Sequence, residues 1–235
     1  MVISFGENKF TFDSSVTVYE AAQAAGLISR EVICARVNGE VCELTTPIAC
    51  DAEVELLTFA HADGKKVFWH TASHILAQAV KRLYPETKLT IGPAVDNGFY
   101  YDFDSEVSFT PEILAKIEAE MKKIVKENIK LERYTLPREE AVKFMEEKGE
   151  TYKIALIARV PEGDDISFYR QGEFTDLCAG PHLFSTAAVK ALMQDTLCIF
   201  LRTERGAAAG SPLRKRCKCT PCKAARRKWR AGSTR

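Results

Sequence analysis

Four side chains suited to proton transfer or metal binding occur in two pairs of equal spacing. His70 and His74 lie four residues apart, and Cys178 and His182 repeat that interval about a hundred residues later. On a helix, residues four apart project from one face, so both rings of the first pair can enter one site. Imidazole titrates near neutral pH and shuttles protons, which suits a polar hydrolytic pocket. Three imidazoles and a thiol equally suit a tetrahedral zinc ion. A lone histidine pair at this spacing is more often a surface or core feature. Here three of the four histidines fall in matched pairs, which favours a site and leaves both chemistries open.

The elements that must position these residues are legible in part. The first pair sits in a segment, 69–83 (WHTASHILAQAVKRL), whose Ile75, Leu76, Ala79, Val80 and Leu83 recur at helical spacing before Pro85. The second pair ends a segment, 171–182 (QGEFTDLCAGPH), that reads as a loop around Gly180-Pro181. Between them lies a glycine- and aromatic-rich stretch, 91–103, with a turn signal at Asn97-Gly98. Thr110-Pro111-Glu112 opens a helix reaching about 128, with an apolar stripe of Ile113, Leu114, Ile117, Met121, Ile124 and Val125. Pro137-Arg138-Glu139-Glu140 opens another that stops at Gly149. Residues 152–159 and 166–170 read as strands, and 61–66 as a short linker.

Residues 1–60 predict a small α+β unit with one helix on one sheet. A hairpin over 1–12 turns at Gly6-Glu7-Asn8, a helix over 17–25 stops at Gly26, and strands follow at 32–37, 41–44 and 53–59, with a tight turn at Asn38-Gly39. This unit holds only Lys9, Arg30 and Arg36 against nine acids, so a strong nonspecific grip on nucleic acid is not expected of it.

The blocks His70-Thr71-Ala72-Ser73-His74, Ile91-Gly92-Pro93, Asp96-Asn97-Gly98-Phe99-Tyr100-Tyr101-Asp102 and Asp176-Leu177-Cys178-Ala179-Gly180-Pro181-His182 resemble the editing domain of bacterial-type threonyl-tRNA synthetases. Alanyl-type editing domains share the two pairs, whereas the NGFYYD and DLCAGPH forms look more like the threonyl family. The first sixty residues resemble the TGS domain, a ubiquitin-like β-grasp unit. The resemblance implies a truncated, α+β member of the family with TGS at 1–61, an incomplete editing domain at 62–192 and a basic tail at 193–235 unlike the family.

The implied activity is hydrolysis of serine mistakenly esterified to threonine tRNA, with the tRNA(Thr) 3′ end as partner. A synthetic site that accepts threonine excludes the smaller serine by only about 1–3 kcal/mol, so a second, hydrolytic site is needed. By resemblance, His70, His74, Lys153, Cys178 and His182 are the catalytic candidates, and Asp176 and Tyr101 the substrate-binding ones. No cofactor is expected in this part of the family. Zinc at His70, His74, Cys178 and His182 is the competing reading, and ATP and the family's own zinc belong to an aminoacylation core that this chain does not resemble. The alternatives are a non-catalytic tRNA- or partner-binding fragment and an alanyl-type hydrolase acting on Ser-tRNA(Ala).

Charge marks the same boundary. The net charge of +1 divides into 21 basic and 31 acidic residues over 1–201, and 12 basic residues with Glu204 alone over 202–235. Cys217, Cys219 and Cys222 crowd this basic tail, but three cysteines without a fourth ligand make a poor zinc site. The abrupt change in composition is what a lost reading frame near residue 193 would produce. Lys65, Lys66, Lys81, Arg82, Lys88 and the lysines of 116–130 are candidates for phosphate contacts, although a mixed-charge helix is usually a solvated face. No apolar run is long enough to span a membrane, and no secretory signal opens the chain. A cytoplasmic protein with reduced thiols is expected.

Overall fold

The computed structural model describes residues 1–95, 98–189 and the backbone of 200–203. The first sixty residues form strands β1 (Val2–Phe5), β2 (Asn8–Thr11) and β3 (Val16–Thr17), helix α1 (Val18–Ala24), and strands β4 (Val32–Val37), β5 (Glu40–Cys42), β6 (Pro47–Ile48) and β7 (Ala52–Thr58). The main sheet has the order β2-β1-β7-β4-β5, with β1 and β7 parallel at its centre and every other pair antiparallel. Thr17 caps α1 in a capping box with Glu20, and Val18, Ala21 and Ala22 bury the helix against Ile3, Phe5, Leu44 and Val54. Asn38 and Gly39 take the positive φ values that a two-residue hairpin turn demands.

Helix α2 (Ala62–Leu83) is the central element. From Val67 to Val80 it is buried on nearly every side, as a helix enclosed by other layers must be. Ile33, Cys34 and Leu57 of the N-terminal sheet join its core, while the rest of that unit keeps a separate core around Ile3, Ala35 and Val54. The expected linker at 61–66 is therefore corrected: α2 starts at Ala62. Asp63 in its first turn holds Arg36 and Lys66, and buried Gly64 lies so close to Thr58 that a Cβ would meet its carbonyl oxygen at 2.1 Å.

Strands β8 (Lys88–Leu89), β9 (Ala94–Val95) and β10 (Gly98–Asp104) follow, then α3 (Pro111–Glu127). Phe99, Tyr101 and Phe103 alternate inward along β10, the period expected of a half-buried strand. Of the expected Asn97-Gly98 turn, Asn97 lies outside the described residues and Gly98 opens β10. Thr110 caps α3, and Asn128 ends it in the left-handed conformation.

An antiparallel sheet of β11 (Leu131–Leu136), β12 (Ile166–Gln171) and β13 (Phe174–Leu177) carries α4 (Arg138–Glu147) and α5 (Thr151–Ile157) in the connection between its first two strands. Helix α5 corrects the strand expected at 152–159. Alternation of Tyr152, Ile154 and Leu156 suggests period two, but the buried positions are Lys153 and Ile157, four apart. Short apolar runs do not distinguish the two states. Strand β13 corrects the loop expected at 171–182, because the chain reverses over Gly172-Glu173 and pairs with β12 before reaching Gly180.

The backbone of β14 (Phe200–Thr203) pairs in parallel with β10. The rest of the anomalous tail, including its cysteine cluster, lies outside the described residues. Among the described residues no helix is long and apolar enough to cross a membrane.

Candidate functional site

The two pairs meet. Helix α2 presents His70 and His74, and strand β13 leads into the loop of Cys178 and His182. Phe174 and Asp176 face inward along β13, and Cys178 continues that parity. Its position is fixed by Ser167 on β12, which accepts the Cys178 N–H at 3.0 Å and donates its hydroxyl to the Cys178 carbonyl at 2.6 Å. The Cys178 Sγ lies 3.2 Å from Nε2 of both His70 and His182 and receives the Gly180 N–H at 3.3 Å. His182 sits between the α2 imidazoles, with ring centroids 4.1 Å from His70 and 4.2 Å from His74. One ligand atom from each of the four residues lies within 4.8 Å of the others.

A buried ion pair lies beside them. Lys153 on α5 places Nζ 2.6 Å from Asp176 Oδ1, with the two residues 3% and 2% exposed. The Tyr101 hydroxyl donates to Asp176 Oδ2 at 2.7 Å and accepts from Lys153 Nζ at 3.2 Å. His74 Nε2 is 3.9 Å from the same Oδ2. All seven residues singled out in the sequence therefore belong to one connected group. Tyr101 lies against Gly92, where a Cβ would come within 2.1 Å of the tyrosine ring. That contact accounts for glycine in Ile91-Gly92-Pro93.

Burial dominates the electrostatics. It lowers the pKa of all three imidazoles, pulling His74 down to about 3 and His182 well below its ordinary value. His70 alone of the three is partly exposed. Burial pushes the Cys178 thiol up to about 12, so it is protonated at neutral pH. It also raises Tyr101 well above its ordinary value, reinforced by the Asp176 charge. For Asp176 burial is again the largest influence and acts upward, but Lys153, His74 and the Tyr101 hydrogen bond together hold the carboxyl below its usual range. The site thus offers neutral imidazoles, a neutral thiol and one internally compensated ion pair.

Several positioning residues escape sequence reasoning. Thr71 places Oγ1 3.1 Å from His182 Nδ1. The Ser73 hydroxyl lies 2.7 Å from the carbonyls of both His70 and Gly92, tying the loop before β9 to α2. Both lie between the paired histidines, which is the one signal that marks them. Glu43, just after β5, accepts the His182 N–H at 2.9 Å, and nothing in its local sequence foretells that reach. Buried Glu150 precedes α5, accepts the Leu89 N–H at 2.8 Å and pairs with Lys81 at 3.0 Å, anchoring the helix that carries Lys153.

The chain is similar in sequence to known proteins. Residues 166–193 match the family described as threonyl and alanyl tRNA synthetase second additional domain. The threonine–tRNA ligase of Caldanaerobacter subterraneus subsp. tengcongensis is 57% identical over 194 residues, covering 82% of this chain and 30% of that protein. That of Clostridium kluyveri is 61% identical over 172 residues, covering 73% and 27%. That of Acetivibrio thermocellus is 58% identical over 182 residues, covering 77% and 28%. Over these residues the chain is a threonyl-tRNA synthetase homologue. It spans less than a third of the length of these curated relatives.

In this synthetase homologue the basic residues flanking the first histidine pair are partly committed. Arg82 is bound by Glu120, Glu127 and Glu173, and Lys81 by Glu150. Lys122 and Lys123 pair with Glu118 and Glu120 along α3, as on a solvated helix face. The four-residue cluster has the donor types of a zinc site. His74 Nδ1 is buried with no hydrogen-bond partner, an atom that a bound ion would satisfy. The donor set therefore fits such an ion.

Proposed function

We propose that this chain hydrolyses the ester of serine mischarged onto tRNA(Thr). The observation that carries the reading is the convergence of both histidine-containing pairs on the buried Lys153–Asp176–Tyr101 group, in a homologue of threonine–tRNA ligase. The substrate is the tRNA(Thr) 3′ end carrying serine. Synthesis of threonyl-tRNA is an activity in the relatives' name and is not assigned to this chain.

The organisation proposed with it is a TGS-type β-grasp unit over 1–61 and an editing domain over 62–192. The strand order β2-β1-β7-β4-β5 around one helix supports the first assignment. The match over 166–193 supports the second. A cytoplasmic location goes with the same reading.

A water attacks the ester carbonyl. His70 is the partly exposed imidazole of the three, its pKa lowered by burial, and is assigned to orient that water and take its proton. Lys153, held by Asp176 and Tyr101, is assigned to donate a hydrogen bond to the developing oxyanion. His74 and His182 bound the pocket towards the terminal adenosine, and Cys178 and Asp176 are assigned to the serine hydroxyl and amine.

Metal binding is the second reading, favoured by the unpartnered His74 Nδ1. His70, His74, Cys178 and His182 would be the ligands, and the ion would polarise the ester carbonyl.

The test is hydrolysis of purified Ser-tRNA(Thr) by the wild-type chain, His70→Ala and Cys178→Ala. Loss in both variants is expected. Undiminished hydrolysis in both would remove the site assignment. A wild-type chain that binds tRNA without hydrolysing it would be a binding module, and one that prefers Ser-tRNA(Ala) an alanyl-type enzyme.

A further inference from the structure

Thr71 lies at the meeting point of the two elements that bring the pairs together. It is buried on α2, between His70 and His74 in the chain, and its Oγ1 has three polar neighbours. The Val67 carbonyl, one turn back, is 3.1 Å away and can only accept. The Leu183 N–H is 3.0 Å away and can only donate. The third neighbour is His182 Nδ1 at 3.1 Å, which does either according to tautomer.

A threonine hydroxyl has one proton and two lone pairs. With its proton directed at Val67 and one lone pair taken by Leu183, Oγ1 has only an acceptor left for His182. Cys178 lies on the other side of the His182 ring. Its sulfur already receives the Gly180 N–H and faces Nε2 of both His70 and His182 at 3.2 Å. Sulfur is a weak acceptor, and a neutral imidazole carries one N–H. Placing the His182 proton on Nε2 would set a bare Nδ1 against the Thr71 oxygen, whose proton is directed at Val67.

We propose that Thr71 is a positioning residue that fixes His182 as the Nδ1–H tautomer, leaving the Nε2 lone pair directed at Cys178. That lone pair can accept a hydrogen bond from the thiol or ligate a metal, so the tautomer is compatible with either reading of the site. Rings on either side reinforce it: His70 at 4.1 Å and Tyr169 at 4.4 Å limit rotation of the imidazole plane. The catalytic consequence rests on the hydrolase reading above, whereas the tautomer does not.

Long-range proton–nitrogen NMR of the chelator-treated full chain reads the tautomer directly, with the His182 signals assigned by His182→Gln. The wild type is expected to show a protonated Nδ1 and a bare Nε2. Thr71→Ser keeps the hydroxyl and retains that pattern, while Thr71→Val shifts the proton to Nε2 or yields a mixture. Hydrolysis of Ser-tRNA(Thr) is expected to fall roughly 10–100-fold in Thr71→Val and to recover in Thr71→Ser. A wild-type His182 protonated on Nε2 overturns the proposal, as does an unchanged Nδ1–H tautomer in Thr71→Val. If Thr71→Val does not fold, Thr71→Ala carries the comparison, and the wild-type spectrum still decides between the tautomers. A tautomer that shifts as expected with hydrolysis unaltered removes His182 from the hydrolytic reading and leaves the role of Thr71 standing.

Discussion

Lys153 Nζ and Asp176 Oδ1 are 2.6 Å apart inside the protein, on a helix and a strand that share no hydrogen-bonded ladder. Each neutralises the other where neither reaches water. Removing one partner strands a buried charge, at a cost of about 3–5 kcal/mol. Lys153→Met is expected to destabilise the chain by that order in urea unfolding. The double variant Lys153→Met, Asp176→Leu is expected to recover much of the loss. A single variant within about 0.5 kcal/mol of wild type would contradict the pairing.

Stability should fall on mild acidification. His74, pulled down to about 3, and His182, pulled further below its ordinary value, stay neutral in the fold but protonate near pH 6.5 when unfolded. The unfolded state therefore binds more protons as pH drops below about 6.5, and each such histidine removes on the order of 1.4 kcal/mol per pH unit. Asp176 has a depressed pKa and adds its own loss only below the ordinary carboxylate range. Urea midpoints of chelator-treated protein between pH 7 and pH 4 measure this, and His74→Gln should flatten the slope. A pH-independent midpoint in wild type would refute the buried neutral histidines.

Thiol reactivity should separate the described cysteines. Cys50 is exposed, whereas burial pushes the thiols of Cys34 and Cys178 up to about 12. Iodoacetamide at neutral pH, followed by peptide mass mapping, should label Cys50 well before Cys178. Preferential labelling of Cys178 would mean a thiolate stabilised by its imidazoles.

Gly92→Ala should damage the site from outside it. The new Cβ would sit 2.1 Å from the Tyr101 ring, so the ring or the 91–93 loop must move, and Tyr101 donates to Asp176. A fall of roughly tenfold in Ser-tRNA(Thr) hydrolysis is expected with tRNA affinity nearly unchanged. Equal loss of binding would point to a general folding defect.

Metal content discriminates the two readings of the four donors. The metal-free reading expects well under one zinc per chain in protein purified without chelator, and hydrolysis that survives chelation. One tightly held zinc, lost in His74→Ala, would make His70, His74, Cys178 and His182 ligands.

Much of the fold was legible because its elements repeat with a simple period or carry strong punctuation. The apolar stripe from Ile113 to Val125 and the Asn38-Gly39 turn are local features whose outcome depends on neighbours a few residues away. The strand expected at 152–159 is a helix because the side chains it buries are Lys153 and Ile157, and a lysine can be buried there where Asp176, distant in sequence, pairs with it. Likewise 174–177 becomes a strand through its partner β12, which a loop-like composition of glycine, glutamate and aspartate does not announce.

The sequence by itself determined the chemical inventory of this protein: two pairs of proton- or metal-binding side chains at helical spacing, the lysine and aspartate that accompany them, and the family they resemble. Tertiary structure alone decided how those groups are wired. Glu43 reaches His182 from the N-terminal sheet, Thr71 bridges two elements, and burial rather than residue type sets the protonation of the imidazoles and the thiol. The physical reason is that charge, tautomer and pKa depend on desolvation and on partners far away in the chain, and these exist only once the layers have packed.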